Sequence, residues 1–462
     1  MERRLDVGRI LDASFARGID GVRDHLNPSL SRLLAATGFE TEFVGGSGAH
    51  LWTADGTRVL DCLCGFGALL LGRGHPFVKD AVQQCIEAGP PAWVRFSPNG
   101  LAAEAASRLK ECCARTDDRV YFSGSGTEGV EAAVKFARRH TGRSGVLSWD
   151  DGFHGFTLGA LSIGGNPDLA AGFGALLPEC ATVPFGDLIA VERALAARTY
   201  AAFVIEPVQG KTLRALGPGE LREIQRLCRT HGTLLVADEV QTGLGRTGTF
   251  LATEFDGVEP DIVVVSKGLG GGYMPVAATL VRPDVWASTY SSMERAFVHG
   301  STHHEGPLAM IAAIATLEAL VGDGLVARAQ ALGNRMGAAL RSALASSPFV
   351  PEVRGRGLML GTVLDGSSAP SLAPIPVLGP WTAPMVGQAV VMDLFRDARI
   401  LAQVTGARRP LLKLLPPLVL SDEDADYVVR SVPRAIAGLG GGSTLRAVGR
   451  AAIGLSRAAI RR

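Results

Sequence analysis

Short apolar runs alternate with helical patterns through the middle of the chain, and this alternation restricts the fold more than any other feature. Helical patterns such as 128–140 and 218–231 lie between several of the runs. Apolar runs separated by helices indicate a mostly parallel sheet that is covered on both faces. The sequence therefore predicts an α/β protein with strands at 119–122, 146–149, 202–205, 233–237, 261–266 and 277–281.

Charge and cysteine usage narrow the classes of function. The chain has 462 residues and a formal net charge of +1, which gives no argument for a nucleic-acid partner. The longest apolar stretch, 307–317, is too short to span a bilayer, and residues 1–20 lack the apolar core of a secretory signal. The seven cysteines match no common zinc spacing. We therefore expect no metal site, no transmembrane segment and a reducing, cytoplasmic location.

A glycine-rich segment, GSGTEG at 124–129, follows the strand at 119–122 and opens a helix. Free N–H groups at a helix N-terminus, beside the hydroxyls of Ser125 and Thr127, favour a phosphate dianion. The same letters fit the fingerprint of dinucleotide-binding domains, and a tight turn without any ligand needs the same glycines. The segment alone therefore leaves the ligand open.

Two further strands end in residues that can act on one cofactor. The strand at 233–237 is followed by Asp238, and the strand at 261–266 is followed by Lys267. Ligands of open α/β sheets bind at the carboxyl ends of the strands, so this carboxylate and this amine can face one site. A desolvated lysine suits a Schiff base, and a carboxylate keeps a pyridine nitrogen protonated. Together with a phosphate cradle, they indicate pyridoxal phosphate (PLP).

These segments and several others resemble the class III aminotransferases, the fold-type I PLP enzymes that include ornithine and 4-aminobutyrate aminotransferases. The resemblance runs from about residue 27 to residue 439. It rests on LDCLCGFGALLLGRGHP (60–76), SGSGTEGVEAAVKFAR (123–138), FHG (153–155), EPVQG (206–210), ADEVQTGLGRTG (237–248), SKGLGGGYMP (266–275), GST (300–302), VRGRGLMLG (353–361) and LPPL (415–418).

The resemblance implies a large domain, with a mostly parallel sheet covered by helices, and a smaller α+β domain formed by the N- and C-terminal segments. The implied parts are an N-terminal segment at 1–75, the large PLP-binding domain at 76–323, the small domain at 324–437, and a glycine hinge with a basic tail at 438–462. The tail carries five arginines and no acidic residue, and its partner is unknown.

The resemblance also implies a role for each matching residue. Lys267 would form the internal aldimine and move a proton between the substrate and the cofactor, and Asp238 would pair with the pyridine nitrogen. Ser301 and Thr302 of the neighbouring subunit would lie at the phosphate, so the active unit would be a homodimer with shared sites. The other implied cofactor residues are Ser125, Gly126 and Thr127 at the phosphate, Phe153 and Val240 on the two ring faces, Gln241 near the ring hydroxyl, and His154 and Glu206, with Glu128 as a further brace.

The sequence departs from the family pattern where substrates bind. Lys413 stands where many amino-acid-specific members have an arginine that clamps a substrate carboxylate. Phe156 and Lys211 stand where members that resemble ornithine aminotransferase have an arginine and a glutamate. After Thr302, the usual FGGN is replaced by HHEG, whose side chains either add acid–base chemistry or only pack in the loop. The candidate substrate residues are therefore Phe66, Phe156, Lys211, His303, His304, Glu305 and Lys413.

We expect a PLP-dependent aminotransferase of specialised metabolism that moves an amino group between an amine or amino-acid donor and an aldehyde or keto acceptor. The departures keep open a PLP enzyme that does not transaminate but forms C–C bonds, as in annulation, or eliminates, epimerises or decarboxylates. An NAD(P)-dependent oxidoreductase that uses GSGTEG and a PLP-fold protein that acts mainly as a scaffold through its basic tail are further alternatives.

Overall fold

The computed structural model describes residues 5–94, 96–365, 382–406 and 409–440. It confirms the α/β class. The strands in this part of the chain are β1 (Phe43–Ser47), β2 (His50–Thr53), β3 (Arg58–Asp61), β4 (Arg119–Ser123), β5 (Gly145–Trp149), β6 (Cys180–Val183), β7 (Tyr200–Ile205), β8 (Leu234–Asp238), β9 (Ile262–Val265), β10 (Ala277–Val281), β11 (Glu352–Arg356), β12 (Met359–Val363), β13 (Ile400–Leu401), β14 (Gln403–Thr405) and β15 (Leu411–Leu414).

Helices connect and cover these strands. They are α1 (Val7–His25), α2 (Pro28–Thr37), α3 (Cys64–Gly67), α4 (Pro76–Ala88), α5 (Gly100–Cys112), α6 (Gly126–Thr141), α7 (Leu158–Ser162), α8 (Pro167–Ala170), α9 (Leu188–Ala196), α10 (Glu220–His231), α11 (Pro283–Thr289), α12 (Pro307–Gly322), α13 (Leu325–Leu344), α14 (Thr382–Ala398) and α15 (Asp422–Ala437). Short 3₁₀ turns lie at Ala252–Asp256, Lys267–Gly270, Met293–Arg295 and Gly438–Gly440.

The central sheet has the strand order β4-β10-β9-β8-β7-β5-β6. All its strands are parallel except β10, which runs antiparallel to both of its neighbours. Side chains alternate between the two faces, so Val204 packs in the core below α6 while Phe203 packs in the core below α9 and α10. Both faces are therefore covered, as the apolar runs predicted.

Two smaller sheets flank the central one. One has the order β1-β2-β3-β13, and the other has the order β11-β12-β15-β14. In the first of them, β13 from the C-terminal part pairs in parallel with β3 from the N-terminal part. The exact domain boundaries stay a prediction. At the C-terminal end, Leu439 is buried within the 3₁₀ turn that begins the expected hinge, and the basic tail beyond residue 440 lies outside the described residues.

The longest apolar stretch of the sequence forms most of α12, whose residues are largely buried against α4 and α5. In the described part of the chain, no single helix is both long and apolar enough to cross a membrane; α12 and α13 meet the two conditions only together, as a pair bent by 60°.

Candidate active site

The candidate site lies at one edge of the central sheet, where five parallel strands end. The carboxyl end of β4 leads into Ser125, that of β5 into Phe153, that of β7 into Glu206, and that of β9 into Lys267, while β8 ends in Asp238 itself. Because carboxyl ends of parallel strands share an edge, residues that are distant in the sequence come together there. This edge is the place that the sequence predicted.

Asp238 is buried and held by two donors. Its Oδ2 lies 2.8 Å from Nδ1 of His154, and its Oδ1 accepts a hydrogen bond from the N–H of Val240 at 3.1 Å. Burial opposes a charge on the imidazole, but the hydrogen bond and charge of Asp238, together with Glu206, outweigh it and raise the pKa of His154. His154 is therefore held against Asp238 as a buried hydrogen-bond partner.

Glu206 braces the loop after β5. Its Oε2 accepts the N–H of Phe153 at 3.0 Å, and its Oε1 accepts the N–H of Gly210 at 2.7 Å. Burial raises the pKa of Glu206 despite the opposing charge of His154. These bonds fix the position from which the Phe153 ring projects, and the ring of Phe156 packs against it at a centroid distance of 5.1 Å.

Lys267 begins a 3₁₀ turn directly after β9, with a φ of 29°. The next residue, Gly268, packs so closely on the core that a Cβ there would lie 2.0 Å from Leu70 Cδ1. Burial lowers the pKa of Lys267, although the charges of Asp238 and Glu206 act in the opposite direction. A lowered pKa leaves more unprotonated amine at neutral pH, as a nucleophilic lysine requires.

The first turn of α6 faces the same edge. Ser125 is the extended residue before the helix, and Glu128 accepts hydrogen bonds from the N–H of Gly124 (2.8 Å) and the hydroxyl of Ser125 (3.2 Å). A Cβ on Gly126 would lie 2.8 Å from Val240 Cγ2. Because Gly126 has no side chain, the N-terminus of α6 can pack against Val240, two residues after Asp238. Thr127 bonds the hydroxyl of Thr157 at 2.8 Å.

This set of residues fits pyridoxal phosphate. A helix N-terminus with hydroxyl side chains suits its phosphate, a buried carboxylate suits its ring nitrogen, and a desolvated lysine suits its aldehyde. The described residues contain no group of three or more His, Cys, Asp or Glu side chains arranged to hold a metal ion.

Gln241 and Lys413 lie beside this site and are bonded to each other. Lys413 Nζ donates to Gln241 Oε1 at 2.7 Å and also to the carbonyl oxygen of Gly210. Gln241 Nε2 donates in turn to the carbonyl oxygen of Phe66 at 2.9 Å. Of the candidate substrate residues, the structure thus connects Lys413 and Phe66 through one side chain.

Lys211 points elsewhere. Its Nζ lies 2.6 Å from Asp151 Oδ1, and it lines a cavity of about 580 Å³ together with Arg214 and Arg354. The lysine at this position therefore pairs with an acid of the loop after β5, away from the residue at the clamp position, Lys413.

The loop with two histidines lies near the segment around Trp93. The ring of His303 packs edge-on against Trp93 at 5.3 Å, and His304 packs near Tyr121 at 6.1 Å and bonds the carbonyl oxygen of Ser301. His304 Nε2 lies 3.7 Å from Glu305 Oε1. Within one chain, the hydrogen bonds, ion pairs and ring contacts described for His303, His304 and Glu305 join none of them to Lys267 or Asp238.

Arg246 is a site residue that the sequence reasoning missed. It is fully buried, and its Nη1 donates to the carbonyl oxygens of Leu358 (3.0 Å) and Pro416. It thereby ties together three of the quoted motifs, those at 237–248, 353–361 and 415–418. An arginine within a glycine-rich apolar motif was the available signal. Its charge also acts to lower the pKa values of Lys267 and Lys413.

Comparisons with known proteins agree with this geometry. The sequence profile of the family described as Aminotransferase class-III matches residues 38–436. The aminotransferase PigE of a Serratia species is 36% identical over 444 residues, which cover 89% of this chain and 52% of PigE. The chain thus spans about half the length of that relative. The acetylornithine aminotransferase of Methanopyrus kandleri is 41% identical over 327 residues, covering 70% of this chain and 80% of that enzyme.

A solved structure shows the same fold. The ornithine aminotransferase of Toxoplasma gondii, determined with partial occupancy of PLP at the active site, superposes with a TM-score of 0.81 at 28% sequence identity. The superposition covers 96% of this chain and 100% of the other. The fold-type I architecture expected from the sequence is therefore confirmed.

Proposed function

This chain belongs to the class III aminotransferase family, and we propose that it delivers the amino group to an apolar aldehyde or ketone rather than to 2-oxoglutarate. The chain is a PLP-dependent aminotransferase, which moves an amino group between an amine or amino-acid donor and a carbonyl acceptor. The identity of the acceptor rests on one observation, the position and exposure of Phe156.

Phe156 stands where family members that resemble ornithine aminotransferase have an arginine for the keto acid. Its side chain is 69% exposed and packs against Phe153, the aromatic residue assigned to the cofactor ring. Phe66 is a second exposed aromatic side chain at the site, at 54%. Apolar walls favour an apolar substrate and offer no counter-ion to a dicarboxylate.

Lys211 also lacks the negative charge that a carboxylate switch requires at its position. In a carboxylate switch, this position would hold an acid that neutralises the clamp residue, but here a lysine occupies it. Its ammonium is already paired with Asp151 at 2.6 Å. A keto-acid carboxylate would therefore have to compete with an existing ion pair. This supports an acceptor that lacks the two carboxylates of 2-oxoglutarate.

When bound, pyridoxal phosphate supplies an aldehyde that takes up amino groups and a ring that accepts electrons from the donor carbon. In our assignment, Nζ of Lys267 would hold the aldehyde group and would take the proton of the donor carbon. Asp238, with His154 bonded to it, would keep a proton on the ring nitrogen. Ser125, Gly126 and Thr127 would hold the phosphate, and Phe153 and Val240 would orient the ring.

The proposal includes a homodimer in which Ser301 and Thr302 of the partner subunit complete the phosphate site. Large apolar side chains are exposed close to that loop in a single chain, among them Phe96 at 93% and Phe297, whose rings lie 5.6 Å apart. Exposed apolar groups of this size are typical of protein interfaces. All seven cysteines are free thiols, which supports a cytoplasmic location.

The test separates donor from acceptor. Purified holoenzyme is treated with ornithine, glutamate, simple diamines and S-adenosylmethionine until its visible absorbance changes, and the cofactor is identified by mass. The aminated enzyme is then offered heptanal or 2-oxoglutarate. Recovery of the original absorbance with heptanal alone supports the proposal, whereas faster recovery with 2-oxoglutarate rejects it. Donor consumption without an aminated cofactor would favour the non-transaminating alternatives.

A further inference from the structure

On the basis of the proposed function, we propose that Lys413 is a positioning residue that holds Gln241 and Phe66 and does not receive a substrate carboxylate. The donor is accordingly an amine without a carboxylate beside its reacting carbon. In other family members the residue at this position binds a substrate carboxylate. In this chain it holds neighbouring residues in place instead, and the class of amine donor differs accordingly.

Lys413 is enclosed by apolar side chains. Lys413 is only 3% exposed and lies on β15. The buried Leu411 stands two positions before it and the buried Leu415 two positions after it. These leucines form an apolar cluster with Val208 and Leu213 of the loop that faces the strand. A lysine that receives a substrate must present its Nζ to the space where the substrate binds, and this burial prevents it.

The hydrogen-bond partners of Lys413 Nζ are already present in the protein and are neutral. The carbonyl oxygen of Gly210 and Oε1 of Gln241, at 2.7 Å, both accept hydrogen bonds from it. Within the described residues, no carboxylate lies within 4 Å of Nζ as an ion-pair partner, although Glu206 is close enough to influence its charge. A substrate carboxylate would have to break existing bonds to bind.

Gly210 shows how closely this network is built. A Cβ at that position would lie 2.8 Å from Gln241 Oε1 and 2.8 Å from Glu206 Oε1. The absence of a side chain therefore lets the Gly210 backbone, Gln241 and Glu206 meet around one point. The Gln241 amide is consequently fixed, with its oxygen directed to Lys413 and its nitrogen to the carbonyl oxygen of Phe66.

The backbone around Phe66 is strained. Four successive residues have left-handed φ values, Cys64 (48°), Gly65 (58°), Phe66 (58°) and Gly67 (89°). For residues other than glycine this conformation is unfavourable, so the surrounding structure must hold it. The bond from Gln241 is one such restraint, and it orients the exposed Phe66 side chain.

Electrostatics agree with the contacts. Burial, together with the charges of Lys267 and Arg246 and against that of Glu206, lowers the pKa of Lys413 to about 7. A lysine that is largely neutral above that pH attracts a carboxylate weakly, but its N–H groups still donate to neutral acceptors. The replacement of arginine by lysine has also removed the two-pronged geometry that binds carboxylates.

The first arm of the test measures carboxylate binding without turnover. Glutarate is titrated into the holoenzyme and into Lys413→Met, and the visible absorbance of the cofactor is recorded. We expect no saturable change in either protein at millimolar concentrations. A dissociation constant below about 1 mM in the parent enzyme that weakens about tenfold in Lys413→Met would overturn the proposal. Equal binding in both proteins would overturn the donor class, because another residue would then receive the carboxylate.

The second arm measures the scaffold directly. Urea unfolding midpoints are compared for Lys413→Met, Gln241→Leu and the double variant, with Lys413→Gln as a replacement if the methionine variant does not fold. If the two residues act as one unit, the double variant loses no more stability than the worse single variant. Additive losses would contradict the network. Neither arm uses a carbonyl acceptor, so failure here is distinguishable from failure of the proposed acceptor.

Discussion

Asp238 Oδ2 lies 2.8 Å from His154 Nδ1, and both side chains are buried at the end of β8. The histidine comes from the loop after β5, so the contact joins the ends of two strands, β5 and β8, that are separated by β7 in the central sheet. Each side chain compensates the other in this buried position, because an uncompensated charge there would be strongly destabilising. The pair therefore fixes the position of the carboxylate that we assign to the ring nitrogen.

Removal of the imidazole should be costly for this reason. We expect His154→Leu to lower the free energy of unfolding by about 3–5 kcal/mol, the range typical of a broken buried ion pair. His154→Gln, which keeps a donor near Oδ2, should lose less. Urea unfolding of both variants, with and without added PLP, measures the difference. Equal losses in the two variants would show that the hydrogen bond and the charge of His154 do not support Asp238.

Lys267 should be the lysine that determines the colour of the enzyme. We expect Lys267→Ala to lose the visible absorbance of the covalently held cofactor and to lower turnover by about 10³-fold or more. Lys211→Ala is the matched control, because the ammonium of Lys211 is bonded to Asp151. It should keep the spectrum. A variant of Lys267 that retains the spectrum would reject the assignment.

Much of the central sheet is predictable from local patterns, and the exception is instructive. The run at 277–281 is a strand with those same limits, and the run at 233–237 differs by one residue at each end. β6, Cys180–Val183, was not predicted, because it is a short edge strand in which only Val183 is buried and Thr182 is exposed. Without a continuous apolar run, no sequence signal marks it.

The candidate site, too, was predictable from the sequence only in part. Lys267, Asp238 and the residues at 125–127 could be placed together, because parallel strand ends share an edge of the sheet. The contacts of Arg246 with Leu358 and Pro416 could not, since they join segments more than 100 residues apart in the chain. The direction of Lys211 was equally inaccessible, because a loop has no periodicity that fixes where a side chain points.

Gly210 should tolerate no side chain. Its added Cβ would lie 2.8 Å from both Glu206 Oε1 and Gln241 Oε1, so Gly210→Ala must displace two hydrogen-bonded groups. We expect a loss of about 1–3 kcal/mol in the free energy of unfolding, as for other overpacked positions. Gly322→Ala, at the end of α12 with nothing within 4 Å of its Cβ, is the control and should not lose stability. Chemical denaturation of the two variants measures both changes in the free energy of unfolding.

Lys413 should make stability depend on pH. Its pKa is lowered from 10.5 to about 7 in the folded protein, so between these values the unfolded chain holds a proton that the folded chain has released. Stability should therefore rise with pH across this range, by at most about 1.4 kcal/mol per pH unit for one proton, and this contribution is lost as the pH falls toward 7. The rise should be smaller in Lys413→Met.

The comparison removes one buried amine. Lys267 also has a lowered pKa and is present in both proteins, but its charge acts on Lys413, so the difference in slope reports Lys413 together with its coupling to Lys267. Unfolding free energies at several pH values between 7 and 10 give the two slopes. Parallel slopes for the parent enzyme and Lys413→Met would mean that Lys413 stays charged when buried.

Phe156 offers the most direct change of acceptor. Phe156→Arg places a guanidinium beside Phe153, at the mouth of the site, where a carboxylate of a keto acid can pair with it. We expect kcat/KM for 2-oxoglutarate to rise by about tenfold or more and kcat/KM for heptanal to fall, because the apolar wall is lost. Phe156→Leu keeps the wall apolar and should leave 2-oxoglutarate a poor acceptor. If the parent enzyme already prefers 2-oxoglutarate, or if the leucine and arginine variants behave alike, the aromatic side chain does not select the acceptor.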